Sequence, residues 1–323
     1  MFTVTGRELD LGAILAGAGE PTPEGHRAGL IALCGRPNVG KSTLLNRIIG
    51  EKVAIVTDVP GTTRNAIRGV LTRPDAQLVF LDTPGLAKPR TLLAQRLNDL
   101  VRDTWAGVDL IVLLVDVAHG VGRGDEFLAR ELAGVGTPVV AVANKADRLA
   151  DRVQMLPELD RLGGLMGEGR DFADIVPVSA RTGDNVDRLL DVLVSHLPEA
   201  PRLLPTDQVS DQPERQLAAE ILREKLIVRT REELPHSIAV TVDEIRPDDD
   251  RDDLVHVEAV VHVERDSQKG IVIGHRGETL KAAATDARRE LEVLLGAKVF
   301  LSTHVRVAKE WQRDPKQLGR LGY

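Results

Sequence analysis

Leu30-Ile31-Ala32-Leu33-Cys34 is an unbroken apolar run that stops at Gly35-Arg36-Pro37-Asn38-Val39-Gly40-Lys41-Ser42-Thr43. No other feature restricts the fold of this chain so tightly. The run is short, rich in aliphatic residues, and suits a strand covered on both faces. Gly35 to Ser42 fits G-x-x-x-x-G-K-[ST], a loop whose backbone N–H groups cradle phosphate oxygens. Such a loop works between a strand and a helix N-terminus, where the unpaired amides favour negative charge. Strand, loop and helix are therefore required in that order. Lys41 would reach the phosphates and the Ser42 hydroxyl would ligate Mg²⁺.

Four more apolar runs, "QLVFLDT", "DLIVLLVDV", "PVVAVANK" and "DIVPVSA", alternate with segments of helical period. The pattern predicts an α/β unit over residues 29–198, a doubly wound, mostly parallel sheet between helices. Such sheets bind ligands at the carboxyl ends of their strands, and the remaining motifs fall there. Asp82-Thr83-Pro84-Gly85 closes one run. Alone it is an ordinary turn. Behind a phosphate loop, Asp82 is placed to hold Mg²⁺ through water and the Gly85 N–H to sense a terminal phosphate. Asn144-Lys145-Ala146-Asp147 closes another run. A carboxylate there accepts N1–H and N2–H₂ of guanine together, a donor pair that adenine lacks, so Asp147 selects GTP over ATP. Ser179-Ala180 follows the last run and would support the base from the other side.

As a set, GRPNVGKS, TTR, DTPG, NKAD and SA resemble the P-loop GTPase superfamily of TrmE, Era, EngA, EngB and septins. The resemblance implies a GTP hydrolase using GTP/GDP and Mg²⁺. It implies nucleotide contacts from Gly35 to Thr43, from Asp82 to Gly85, and from Asn144, Lys145, Asp147, Ser179 and Ala180. Thr62 or Thr63, in a mobile switch loop, would close on Mg²⁺; sequence alone does not choose between them. Lys41, Thr62, Thr63 and Gly85 are expected nearest the reacting phosphate. Ras-type proteins carry a water-orienting Gln directly after the D-x-x-G glycine; Leu86 stands here and cannot orient water. Asn38 occupies the position where potassium-activated relatives help bind K⁺, which makes K⁺ an expected cofactor; the alternative is that Asn38 only stabilises the loop.

Residues 199–216 are rich in Pro, Asp and Gln and read as a linker. Beyond them the pattern changes. "LAAEILREKLIVRT" has helix spacing, and "HSIAVTVDEI" and "LVHVEAVVHVERD" alternate as paired strands around the acidic "RPDDDRDD". A short helix through Ile273, the turn Gly274-His275-Arg276-Gly277, a helix from about Glu278 to Leu295 and a strand "AKVFLSTHVRV" follow. The order α-β-β-α-α-β, with G-x-x-G between two helices, resembles a type II KH domain, an α+β fold, over residues 217–323. That resemblance implies that the loop clamps an RNA backbone and that the adjacent groove reads about four bases. Gly274, His275, Arg276, Gly277 and Lys281 are the expected contacts.

One GTPase unit joined to a type II KH domain is the architecture of the Era family, and the similarity runs through "EILREKL", "ELPHSIAV", "QKGIVIGHRGETLK" and the terminal "LGY". It implies a switch in assembly of the small (30S) ribosomal subunit that binds the 3′ region of 16S rRNA. GTP and RNA would favour one arrangement of the protein, so each strengthens the other. A cytoplasmic monomer is expected, with peripheral association at the inner face of the cell membrane.

The whole chain carries a formal net charge of −7, which by itself argues against nucleic acid. The charge is uneven: residues 265–323 hold twelve Lys and Arg against seven Asp and Glu, a basic tail beside the G-x-x-G turn. Aromatics are only 2%, which disfavours RNA binding by stacking on exposed rings. Cys34 is the single cysteine, excluding an intramolecular disulfide and suiting a reducing compartment. No apolar run approaches the ~20 residues that cross a bilayer. Residues 1–28 lack a basic start, carry Glu8 and Asp10, and read as a flexible extension. Two other functions compete: an RNA-binding scaffold with a structural nucleotide, and a membrane signalling GTPase whose basic tail meets anionic lipid.

Overall fold

The computed structural model describes residues 3–4, 7–8, 22–59, 62–64, 67–86, 91–167, 169–210, 212–230 and 234–323. Most of the N-terminal extension lies outside them. Within it, β1 (Thr3–Val4) pairs antiparallel with β2 (Arg7–Glu8). The chain forms two compact units. One comprises Met1–Ala54, Thr63–Lys88 and Arg96–Asp211; the other comprises Ile55–Thr62, Pro89–Gln95 and Gln212–Tyr323.

The apolar runs of the first unit are strands of one sheet. They are β3 (Arg27–Gly35), β5 (Ala76–Asp82), β6 (Leu110–Asp116), β7 (Val139–Asn144) and β8 (Asp174–Pro177), and β4 (Ile67–Thr72) joins them at the edge. The order is β4-β5-β3-β6-β7-β8, with β4 antiparallel to β5 and the rest parallel. As an edge strand, β4 needs no continuous apolar run, and none of the apolar runs marked it. Helices α1 (Lys41–Ile49), α2 (Leu92–Ala106), α3 (Arg123–Ala133) and α4 (Leu156–Gly163) fall between the strands, and α5 (Val186–His196) follows the last of them.

Alternate strand residues feed two cores. Ile31, Leu33, Leu78, Phe80 and Val112 pack with Leu44 and Leu45 of α1 and Leu189 and Leu193 of α5. Ala32, Ile111, Leu113 and Ala141 pack with Trp105 of α2, Leu128 and Leu132 of α3 and Leu162 of α4. Burial on both faces explains why β6 and β7 show no polar alternation. β3 lies between β5 and β6. The strand order therefore reverses there, and a crevice opens beyond its carboxyl end.

Residues 199–210, expected as linker, are strapped onto this unit. The wholly buried Gln77 donates from Nε2 to the Leu204 carbonyl at 2.8 Å. Its Oε1 accepts the amides of Leu203 and Leu204 at 2.7 and 2.9 Å. Val70 donates to the Val209 carbonyl at 2.9 Å, and Leu204 packs with Val70 and Val79.

The second unit contains α6 (Glu214–Arg229), α7 (Leu234–Ser237), β9 (Ala239–Pro247), β10 (Leu254–Val263), α8 (Asp266–Ile273), α9 (Glu278–Leu295), β11 (Lys298–Val307) and α10 (Pro315–Arg320). The expected α-β-β-α-α-β order is present, with the short α7 and α10 added. β9 pairs antiparallel with β10, and β10 pairs parallel with β11 from Leu254↔Lys298 to Val263↔Val307. Parallel neighbours need a crossover, and α8 and α9 supply it. Ala283, Ala287 and Leu291, four apart on α9, pack with Leu222 and Leu226 of α6 over Val257, Ala259 and Val261. Trp311 is wholly buried, donates from Nε1 to the Ser237 carbonyl at 3.0 Å, and stacks on Tyr323.

Gln77→Leu keeps the volume but strands two amides and a carbonyl of the 203–204 strap. Each orphaned buried group costs about 1–3 kcal/mol. The variant should unfold at lower denaturant and be cut within residues 199–210 sooner than the parent in limited proteolysis. Equal digestion rates would show that the strap is held elsewhere.

Candidate functional site

The loop Gly35–Gly40 leaves the end of β3 at the strand reversal and enters α1 at Lys41. Its glycines are forced by close neighbours. A Cβ on Gly35 would lie 2.6 Å from the Leu114 carbonyl oxygen, and one on Gly40, at φ +103°, 2.3 Å from Asn144 Nδ2. Asn38 itself takes φ +63°. The Lys41 ammonium is nearly buried and donates to the carbonyls of Gly35 and Arg36 at 3.2 and 3.4 Å. Ser42 Oγ, one residue into the helix, donates to Asp82 Oδ2 at 2.6 Å and lies 3.5 Å from Thr63 Oγ1. Thr43 follows on the first turn of α1.

Asp82 is wholly buried, and its Oδ1 has no hydrogen-bond partner among protein atoms. Burial pushes its carboxyl pKa up, against the pull of Lys41 and Ser42. Thr83 Oγ1 donates to the Leu33 carbonyl at 3.0 Å, tying this turn to β3. Pro84 is buried, and Gly85 passes so close that a Cβ there would sit 3.3 Å from Pro37. Leu86 is turned toward the core around Trp105 and Val115.

Of the two candidate threonines, Thr63 is the one whose hydroxyl lies near Ser42 Oγ. Thr62 belongs to the other compact unit, and its carbonyl accepts a hydrogen bond from Arg223.

Asn144 is almost wholly buried and joins three motifs. Its Nδ2 donates to the Val39 carbonyl at 2.7 Å, and its Oδ1 accepts the Ala180 amide at 3.0 Å. Lys145, at φ +68°, donates to the Asn38 carbonyl and to Asp116 Oδ2, both at 2.6 Å. Asp147 Oδ1 accepts from Ser179 Oγ at 2.6 Å, and Oδ2 lies 2.7 Å from an Arg181 Nη2. The Ser179 hydroxyl, helped by Arg181, holds the Asp147 carboxyl below the usual range. An ionised carboxylate is the form that accepts two N–H groups at once.

Arg181 and Asp125 escaped the sequence reading. Arg181 stands directly after Ser179-Ala180, but a surface arginine in a loop carries no signal until its partner is placed. Arg36, expected as a nucleotide contact, pairs from Nε with Asp125 Oδ1 at 2.8 Å, a carboxylate wholly buried at the start of α3. Cys34 is buried and its thiol is pushed up to about 12, chiefly by burial; it is a core residue.

In the second unit, α8 ends at Gly274 (φ +76°), one 3₁₀ turn spans His275–Gly277, and α9 begins at Glu278. The two glycines do different work. A Cβ on Gly274 would meet Thr279 Oγ1 at 2.2 Å, whereas Gly277, at φ +83°, has nothing within 4 Å of that position. Gly274 thus serves the turn, and Gly277 leaves its outer side open. His275, Arg276 and Lys281 are all exposed around it.

The family profile described as "50S ribosome-binding GTPase" matches residues 30–145, and the profile "KH domain" matches residues 233–312. "GTPase Era" of Streptomyces coelicolor is 49% identical over 310 residues, 94% of this chain and 97% of that protein. "GTPase Era" of Mycobacterium avium is 50% identical over 300 residues, 92% of this chain and 99% of that one. Among solved structures, a point variant of Aquifex aeolicus Era bound to GDP·AlF₄⁻ superposes with TM-score 0.88 at 38% identity, over 92% of this chain and 99% of that chain. Era in complex with MgGDPNP and nucleotides 1506–1542 of 16S ribosomal RNA gives TM-score 0.88 at 37% identity, with the same coverage. With relatives this similar over almost the whole length of both chains, and with the phosphate loop and the G-x-x-G turn built as described, the chain belongs to the Era family of GTPases.

Proposed function

We propose that this chain binds and hydrolyses GTP, binds 16S rRNA through its C-terminal unit, and acts as a switch in assembly of the small ribosomal subunit. The observation that carries the reading is the pairing, in one chain, of a nucleotide site organised by Asn144 with an open G-x-x-G turn flanked by exposed cations. A relative with 37% identity has been crystallised with both ligand classes.

The residues fit Mg²⁺. Ser42, Thr63 and Asp82 offer only oxygen atoms, and Asp82 Oδ1, with no protein partner, is an acceptor that a bound cation would satisfy. Among the described residues no cluster of His, Cys, Asp and Glu could hold a metal alone, so phosphate oxygens of the nucleotide would complete the shell. When bound there, Mg²⁺ neutralises charge on the transferred phosphate. The chain's own part is positioning. Loop amides and Lys41 hold the phosphates, Asp147 holds the base, and the Gly85 amide is the γ-phosphate sensor. Leu86 packs into the core and orients no water. Asn38 is the residue we assign to K⁺, which would supply the charge that a water-orienting side chain does not. We place the protein in the cytoplasm. Among the described residues no helix is long and apolar enough to cross a membrane.

Three measurements test this reading. Asp147→Asn replaces a two-acceptor carboxylate by an amide; GTP affinity should fall about tenfold or more, and xanthosine triphosphate should gain relative to it. An unchanged ratio of the two dissociation constants would remove Asp147 from the base pocket. GTP turnover should be faster in KCl than in NaCl at equal ionic strength, and Asn38→Ala should abolish the difference while nucleotide still binds. Equal rates in the two salts would exclude the potassium role.

Gly277→Asp places a carboxylate where an RNA phosphate would lie. The site has room for the side chain, and Asp tolerates positive φ better than most residues. Two like charges at ~4 Å repel by roughly 1–4 kcal/mol between water and a surface dielectric. RNA affinity should therefore drop about tenfold or more, with GTP affinity in the absence of RNA unchanged. RNA binding equal to the parent's would make the turn a mere connection.

A further inference from the structure

Asp116 belongs to none of the motifs above, yet it is almost wholly buried among them. Sheet register puts it there. It ends β6 directly beside Asn144 at the end of β7, and the Val117 amide donates to the Asn144 carbonyl at 3.1 Å. Asp116 Oδ1 accepts the Ala118 amide at 3.1 Å. Oδ2 accepts from Lys145 Nζ at 2.6 Å and lies 2.9 Å from His119 Nδ1. Burial pushes the carboxyl pKa up, but Lys145 and His119 outweigh it and hold the group below the usual carboxylate range. It is therefore ionised at neutral pH, facing an ammonium. That ammonium makes a second bond, also at 2.6 Å, to the Asn38 carbonyl. Asn38 and Lys145 both take left-handed backbone, at φ +63° and +68°, which residues other than glycine keep only where neighbours impose it.

We propose that Asp116 is a positioning residue of the nucleotide site: it fixes the Lys145 ammonium over the Asn38 carbonyl, holds the phosphate loop and the 144–147 turn together, and so slows nucleotide release. The inference rests on the guanine-nucleotide reading and adds a residue to it. A lysine is a point charge on a flexible four-carbon stem. Without a fixed anion beside it, the ammonium is free to leave the carbonyl for water. Asn38 then loses a contact that sustains its left-handed backbone. Asp147, two residues beyond Lys145, is carried on a turn with one anchor fewer. A loop and turn already set in place need less ordering when a ligand binds, and gains of that kind appear chiefly as slower dissociation. Because Asp116 acts through Lys145, its effect should vanish once the ammonium is gone.

The test is a double-mutant cycle on the full chain, read by release of a fluorescent GDP analogue. Asp116→Asn keeps the volume and an acceptor for Ala118 but removes the charge. It should release the analogue about fivefold faster, the loss expected when a hydrogen bond to a charged group gives up its charge assistance. Lys145→Met keeps the apolar stem and should release it about tenfold faster. Adding Asp116→Asn to Lys145→Met should change release by less than about twofold. Single effects that multiply in the double variant overturn the proposal, as does parent-like release in Asp116→Asn. His119→Ala leaves both Lys145 bonds in place and should match the parent. Acceleration equal to that of Asp116→Asn would mean that the carboxylate works through the 117–122 loop, which also overturns the proposal. If Asp116→Asn does not fold, Asp116→Ser enters the same cycle with the same outcomes. A parent chain that binds no guanine nucleotide overturns the reading of the site itself, a different result from a parent that binds the analogue and is matched by its variants.

Discussion

One buried amide holds the nucleotide site together. Asn144 donates to the phosphate loop at Val39 and accepts from the Ala180 backbone, while its own main chain ends β7. The loop must keep its N–H groups uncommitted if they are to meet phosphate, so it cannot stabilise itself with them. Its carbonyls are anchored instead: Val39 by Asn144, Asn38 by Lys145, and Gly35 and Arg36 by Lys41. Gly40 follows from the same constraint, because the Asn144 side chain fills the space that a Cβ would need. The motifs we assign to the phosphates and the base therefore share one buried hydrogen-bonded framework. A defect in either half should weaken the other.

Much of this was legible before any coordinates, and for a physical reason. Strands covered on both faces lose their polar alternation and become continuous aliphatic runs, so β3, β5, β6 and β7 stand out. Edge position hid β4. The 199–210 strap was hidden because its anchor is a glutamine on a distant strand, and nothing in a Pro-rich stretch says what it rests on. The ambiguity between Thr62 and Thr63 could not be lifted by reading. The two are chemically identical neighbours, and only the fold gives one a hydroxyl near Ser42 and the other a carbonyl under Arg223. Likewise G-x-x-G was readable as a turn, but only the structure separates Gly274, which must avoid Thr279, from Gly277, which faces open space.

The C-terminal unit shows how charge and shape divide the work. Its sheet and α9 bury an aliphatic core with small residues at Ala283 and Ala287. With few aromatics in the chain, the proposed RNA contact at the open glycine turn and the exposed His275, Arg276 and Lys281 is backbone clamping rather than ring stacking. Binding of that kind should weaken with salt, since cationic contacts release counterions from the nucleic acid. The overall charge of −7 is no obstacle, because screening confines each field to about 10 Å at 0.1 M ionic strength.

Cys34 lies beneath the phosphate loop, and with its thiol pushed up to about 12 it is almost entirely protonated at neutral pH and shielded from solvent. Thiolate, not thiol, reacts with maleimides and disulfides. The only native cysteine is therefore chemically silent. A second cysteine placed at an exposed position such as Val293, 84% accessible on α9, would take up a dye or spin label alone. The native protein is already a cysteine-blind background for spectroscopy, with no substitution needed in its core.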